Sequence, residues 1–205
     1  MKLEKFYRKK DDFVTKEISL EKVINKMYAQ HLRYVVIVDS KKYPIGILTE
    51  RDILFLYNTN VDFKQTNAYE ASTKQLVKAD KVREIEYALN FMIDHNVRRV
   101  VVVDSKQKYL GVVEQEDIIF ELESKSTRNK LKIFEVLLNE SKALGVDKDT
   151  SLQETIRLMK DKNFGSILVT EYGKSIGILT ETDILNLAKN NIDKSKRVKD
   201  YMHAP

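Results

Sequence analysis

With 205 residues, 42% of them hydrophobic and 33% charged, the chain can bury one or two cores beneath a heavily solvated surface. Its net charge of +5 is spread among interleaved acids, and the basic clusters Arg8-Lys9-Lys10 and Lys194-Ser195-Lys196-Arg197 lack the aromatics that base stacking requires, which argues against a nucleic-acid partner. The absence of cysteine excludes disulfides and thiolate chemistry, three histidines without cysteine argue against a zinc site, no apolar run reaches the roughly 18 to 20 residues of a membrane span, and the Lys-rich start MKLEKFYRKK has no apolar stretch behind it to make a signal peptide, so the expected location is cytoplasmic.

Residues 1–12 read as a charged lead-in, mobile or helical. A first unit, 13–62, opens with a short strand at Phe13-Val14-Thr15. Leu20, Val23, Ile24, Met27 and Tyr28 then recur at helical spacing behind Ser19 as N-cap. The β-branched run Tyr34 to Asp39 and the segment Pro44 to Leu48 follow as strands, and a helix opens at Thr49 with Ile53, Leu54 and Leu56 as its apolar residues. The order is β-α-β-β-α. A second unit, 63–125, repeats it with Val82, Ile85, Ala88, Leu89, Met92 and Ile93 on the helix, then strands Arg99 to Asp104 and Tyr109 to Val113. The third unit and its preceding connector, 126–192, have Leu152, Ile156 and Met159 on the helix and strands Ser166 to Thr170 and Ser175 to Leu179. Leu122 to Lys142, free of Gly and Pro, reads as a helical rod. The remaining 193–205 read as the start of a fourth, truncated unit.

The repeat is sharpest at Gly46-Ile47-Leu48-Thr49-Glu50-Arg51-Asp52. It returns as Gly177-Ile178-Leu179-Thr180-Glu181-Thr182-Asp183, with an imperfect copy at Gly111-Val112-Val113-Glu114-Gln115-Glu116-Asp117, and the glycines are 65 and then 66 residues apart. A period this regular indicates a compact unit duplicated in tandem.

Three β-branched strands ending near an acid (VVIVDS, VVVVDS, ILVTEY), each followed by the glycine-led motif, make residues 13–190 resemble a tandem array of CBS domains, the modules named after cystathionine β-synthase. The resemblance implies an α+β (α/β-like) fold of three repeats, the first two forming a pseudo-twofold pair. It also implies clefts for an adenosine-containing ligand such as AMP, ADP, ATP or S-adenosylmethionine, acting as a regulatory ligand, with no cofactor required. The third repeat would lack a partner unless it met its counterpart in a second copy, so a homodimer through residues 143–190 is expected.

The residues themselves suit a nucleotide. Gly46 and Gly177 end strands where a missing side chain permits close approach. Thr49 and Thr180 stand at helix starts, where unpaired N–H groups and the macrodipole favour a phosphate. Asp52 and Asp183 could accept from ribose hydroxyls. The resemblance assigns the adenine edge to backbone around Tyr34, Val35, Ser166 and Ile167. The competing reading is a capping box that needs no ligand, and the two roles are compatible. In the second unit Gly111 and Asp117 remain, but Glu114 replaces the threonine and would repel a phosphate, so that site is degenerate. His31 and His95, at the ends of equivalent helices, read as complements to the helix dipole rather than ligands.

The expected function is a non-catalytic sensor in signal transduction, controlling an attached or partner effector such as a cyclic-dinucleotide cyclase. The alternative is a constitutive dimerisation scaffold with vestigial pockets. No nucleotide-processing or hydrolytic motif supports an enzyme.

Overall fold

The computed structural model describes residues 1–7, 11–59, 61–119 and 143–204. The expected rod at Leu122 to Lys142 and the basic cluster Arg8-Lys9-Lys10 lie outside the described residues.

Each repeat builds one three-stranded sheet. In repeat 1 the elements are β1 (Phe13–Thr15), α1 (Leu20–Ala29), β2 (Tyr34–Val38), β3 (Pro44–Thr49) and α2 (Glu50–Asn58), followed by the single turn α3 (Ala68–Ala71). Repeat 2 contains β4 (Lys78–Asp80), α4 (Ile85–Asp94), β5 (Arg99–Val103) and β6 (Tyr109–Glu114). Repeat 3 contains β7 (Gly145–Asp147), α5 (Leu152–Lys162), β8 (Ser166–Glu171), β9 (Lys174–Thr180) and α6 (Glu181–Lys189). The sheet orders are β1-β2-β3, β4-β5-β6 and β7-β8-β9. In each, the first two strands pair in parallel, which requires the helix between them as a crossover. The last two of repeats 2 and 3 pair antiparallel, as a short connection allows.

The apolar stripes read from spacing form the core. Leu20, Val23, Ile24, Met27, Leu152, Ile156 and Met159 are buried. Some expectations fail at the edges of the stripes: Tyr28 is 38% exposed, Val82 precedes α4 at 52% exposed, and Ile93 is 68% exposed. In α2 the third buried apolar residue is Tyr57, while Leu56 is only partly covered. His31, Asn96 and Asn163 end the three crossover helices with φ of 52°, 51° and 58°. His31 therefore stops α1 in the left-handed conformation. His95 sits one residue earlier, as the C-cap of α4, with its ring 5.3 Å from that of Phe91.

Segments outside the repeats complete them. Asn67 bridges Ser19 in repeat 1, Lys2 bridges Glu84 in repeat 2, and Arg197 bridges Ser151 in repeat 3, each against the residue that precedes a crossover helix. The next residues, Ala68, Leu3 and Val198, are fully buried. Residues 1–7 of the lead-in are thus part of repeat 2, while Asp12 O accepts from Val36 N–H in repeat 1 at 2.8 Å. Leu3 joins the cluster of Ala79, Ile85, Ala88, Met92, Val100, Val102, Val113 and Ile118. Residues 197–203 strap repeat 3 as 67–73 strap repeat 1.

The described residues divide into two compact units, 1–7 and 11–16 with 36–47 and 72–119, and 17–35 with 48–59, 61–71 and 143–204. Repeat 1 contributes to both. In the first unit, the Tyr109 hydroxyl donates to Asp12 Oδ1 at 2.7 Å, its ring meets Phe13 edge-on at 5.8 Å, and its N–H donates to Lys42 O at 2.9 Å. Repeats 1 and 2 therefore meet on their sheet sides, as the expected pair does. In the second unit α1 and α2 pack on α6, and α2 also packs on α5. Repeat 3 thus has a helix-side partner within the chain, which the sequence reading did not anticipate. Its sheet side is more open: Ile178 is 37% exposed, whereas β2 is buried along its whole length.

Candidate functional site

The two Thr-x-x-Asp segments fold alike because their own side chains satisfy the helix start. Thr49 is the N-cap of α2. Its N–H and hydroxyl both donate to Asp52 Oδ2 at 2.8 Å, and Asp52 N–H returns to Thr49 Oγ1 at 3.3 Å. At α6, Thr180 N–H and hydroxyl donate to Asp183 Oδ2 at 2.8 and 2.7 Å, and Asp183 N–H to Thr180 Oγ1 at 3.4 Å. Both are complete capping boxes. The threonine proton is therefore directed at its own aspartate, and a phosphate would meet the remaining first-turn N–H groups before it met a free hydroxyl donor.

The glycines have a nearer neighbour than any ligand. A Cβ on Gly46 would fall on the Ser72 side chain, and one on Gly177 would meet the Met202 side chain and His203 O at 2.7 Å. The close approach read from the sequence is made by the straps. Thr73 exchanges N–H···O bonds of 3.0 Å with Ile47, and His203 exchanges bonds of 2.9 Å with Ile178.

Tyr34, Val35 and Ile167 are buried side chains, so only their backbones could face a ligand, while Ser166 is half-buried and opposite Thr180 in the hairpin register. Repeat 2 differs at the equivalent pair. Arg99 stands opposite Glu114, with Arg99 Nε 3.2 Å from Glu114 Oε2 and side chains 19% and 12% exposed. The carboxylate expected to repel a phosphate is thus paired with a guanidinium. Glu114 N–H still donates to Asp117 Oδ2 at 3.0 Å, so half of the box survives, and Gly111 is buried as its counterparts are.

Two further features escaped the sequence reading. Arg51 Nε donates to Glu181 Oε1 at 2.7 Å and Thr182 Oγ1 to Glu50 Oε1 at 2.9 Å, which ties the starts of α2 and α6 together. Only the interruption of the apolar pattern by Glu-Arg and Glu-Thr inside the two boxes could have hinted at this. His203, whose Nε2 lies 2.6 Å from Asp183 Oδ1, had no signal beyond its place after Val198-Lys199-Asp200-Tyr201-Met202. Arg197 and Lys199 both reach Asp149, whose carboxyl they hold below its ordinary range, the Lys199 hydrogen bond contributing most.

A cavity of about 730 Å³ in the second unit lies at the opposite, C-terminal ends of α2 and α6, lined by Tyr57, Thr59, Phe63, Asn190 and Lys194 among others. Burial there pushes the Tyr57 phenol up to about 12, with Tyr201 and Asp193 adding to it, and the phenol donates to Ile192 O. This cavity is remote along both helices from the boxes. Among the described residues no helix is long and apolar enough to cross a membrane.

A family model for the CBS domain matches residues 5–58, 68–124 and 139–190. The chain belongs to the CBS domain family, with three repeats. It is 25% identical over 181 residues to an uncharacterized 33.4 kDa protein of Thermofilum pendens, covering 84% of this chain and 60% of that one. It is 30% identical over 95 residues to the uncharacterized protein MK0525 of Methanopyrus kandleri, covering 46% and 48%. With a third relative matched over 39% of its length, the chain spans between about two fifths and three fifths of these curated relatives. Among solved structures, protein MJ1225 of Methanocaldococcus jannaschii superposes with a TM-score of 0.86 at 17% identity, covering all of this chain and 83% of that one. A CBS domain protein of Pyrobaculum aerophilum, solved with AMP, superposes at 0.55 with 20% identity over 60% of this chain and 99% of its own. At such identities the likeness is one of fold.

Proposed function

We propose that this chain is a non-catalytic sensor that binds an adenine nucleotide, or S-adenosylmethionine, at repeats 1 and 3 and biases an effector. The observation that carries the reading is the paired recurrence of a half-buried aspartate held at a helix start, at Asp52 and Asp183, in the two repeats that keep the threonine. Support comes from fold neighbours: the Pyrobaculum protein complexed with AMP, and the CBS pair of protein MJ0100 complexed with 5'-methylthioadenosine and S-adenosyl-L-methionine. In this reading Gly46, Thr49, Asp52, Tyr34 and Val35 serve one site, Gly177, Thr180, Asp183, Ser166 and Ile167 the other, and repeat 2 with Gly111, Glu114 and Asp117 is silent. Each carboxylate can use oxygen capacity beyond the cap to accept ribose hydroxyls while first-turn N–H groups receive phosphate.

The open sheet side of repeat 3, with Ile178 partly exposed, favours a homodimer through residues 143–190. The effector, such as a cyclic-dinucleotide cyclase, would be an attached domain or a separate partner in the cytoplasm. The scaffold alternative differs in leaving the sites unoccupied by any nucleotide.

The deciding experiment is calorimetric titration of AMP, ADP, ATP and S-adenosylmethionine into wild type, Asp52→Ala and Asp183→Ala. Loss of one site in each variant supports the sensor. No binding of any ligand by folded protein refutes it in favour of the scaffold.

A further inference from the structure

The strap of repeat 3 ends on the carboxylate that the nucleotide reading requires. Asp183 Oδ2 is committed to the capping box. The other oxygen, Oδ1, lies 2.6 Å from His203 Nε2, and the side chains of Asp183 and His203 are 14% and 73% exposed. The imidazole therefore approaches the shielded carboxylate from the solvent side.

This placement is set by the fold of the strap. The reciprocal backbone bonds between His203 and Ile178 fix the ring's root, buried Val198 anchors the segment, and Arg197 and Lys199 pin it to Asp149 at 2.9 and 2.8 Å. The same register in repeat 1 brings Thr73, rather than a histidine, beside Ile47. The imidazole is thus particular to the strap of repeat 3.

We propose that His203 is an internal competitor for the ligand of repeat 3, holding Asp183 Oδ1 until a ribose hydroxyl replaces it. The inference rests on the nucleotide reading above. A ligand that enters repeat 3 exchanges one hydrogen bond to a carboxylate for another, so its net gain is smaller than it would be with His203 removed. A ligand without a ribose hydroxyl gains nothing in return for displacing the ring, which makes His203 a selectivity device as well as a brake. Because the ring is largely exposed, its hold is screened and the brake is mild. Release frees the imidazole and reports occupancy of repeat 3 to the strap.

The test is calorimetric titration of AMP on an Asp52→Asn background, which silences repeat 1 while keeping an oxygen for its cap, comparing His203 with His203→Ala and His203→Gln. His203→Ala is expected to bind AMP roughly three- to tenfold more tightly, the worth of about one hydrogen bond. His203→Gln, which keeps an N–H donor, should stay within about twofold of the parent. The chain has three histidines, so the His203 ring resonance can be identified by its loss in His203→Ala and should shift as AMP is added. If the parent binds AMP and His203→Ala binds it no more tightly, the competitor is overturned and the nucleotide reading stands. If none of the three proteins binds AMP, the nucleotide reading of repeat 3 is overturned and the competitor falls with it.

Discussion

Leu3→Ala should destabilise the protein by about 3 kcal/mol, although the residue lies in a charged stretch three positions from the start of the sequence. The side chain is fully buried, inside a cluster that includes Ile85, Met92, Val100, Val113 and Ile118. Buried leucine truncations cost about 2–5 kcal/mol, the higher values where surrounding atoms cannot close the cavity. Here the strap is fastened on both sides of the residue, by Ile85 N–H to Met1 O at 2.7 Å, Leu3 N–H to Arg83 O at 2.8 Å and Glu4 N–H to Lys81 O at 2.9 Å. It cannot sink into the vacated volume without breaking those bonds, but as a surface segment it can tilt, which places the estimate in the middle of that range. Urea unfolding followed by circular dichroism measures the loss, and an unchanged m-value would attribute it to stability alone. Lys5→Ala, at an exposed position of the same strap, is the control and should change stability by no more than about 0.5 kcal/mol. A Leu3→Ala cost below about 1 kcal/mol would refute the claim that this segment completes the core of repeat 2.

Gly177→Ala should weaken the strap of repeat 3 by roughly 1–3 kcal/mol, since its Cβ would meet backbone His203 O at 2.7 Å as well as a flexible Met202 side chain; an unchanged melting temperature would contradict this. If repeats 1 and 3 bind nucleotide as proposed, Arg99→Ser with Glu114→Thr, which gives repeat 2 the pair that faces across the hairpin in repeat 3, Ser166 and Thr180, should add one AMP site; unchanged stoichiometry in calorimetry would show that this pair is not what silences repeat 2. The strap should also respond to acid with a definite sign. Asp149 is held below its ordinary value of 3.8, chiefly by Lys199, so its contribution is fully present above that value and is lost as pH falls through the lower folded value. Amide protection of Val198 and His203, corrected for intrinsic exchange, should therefore hold from neutrality to about pH 4 and fall below it, and in Asp149→Asn it should be weaker at neutral pH and lack that acid step. A matching step in Asp149→Asn would assign the loss to another group.

What was legible in the sequence was local. The crossover helices follow from stripes at helical spacing, and the helix starts follow from Thr-x-x-Asp, because a cap is made by residues three positions apart. The straps were not legible for the opposite reason. Leu3 completes a repeat whose own first strand begins at Lys78, and no period in the chain connects them. The three buried strap residues, Leu3, Ala68 and Val198, also differ in size, so the shared role leaves no shared letter. The glycines show how a correct position can carry an incomplete reason: close approach was read from the missing side chain, but the approaching group is Ser72 or Met202 and His203, supplied by segments that spacing does not pair with the motif. Glu114 was read from its place at a helix start, whereas its partner Arg99 is set by the hairpin register, which only the folded sheet reveals.

If ligands act at Thr49–Asp52 and Thr180–Asp183 as proposed, the two events share a mechanical element. Residues 50 and 51 lie within the first box and residues 181 and 182 within the second, and they are the ones that cross the helix interface: Glu50 with Thr182, Arg51 with Glu181. The Arg51 and Glu181 side chains are 25% and 19% exposed, so moving one helix start away from the other would disturb a partly desolvated pair instead of a pair dissolved in water. A ligand whose contacts draw α2 toward a particular setting therefore changes the setting available to α6. Any change in affinity that repeat 1 imposes on repeat 3 must be returned in equal measure. The requirement on a signal is then specific: it must prefer one setting of this helix pair over another, because equal affinity for both settings would occupy the sites and move nothing.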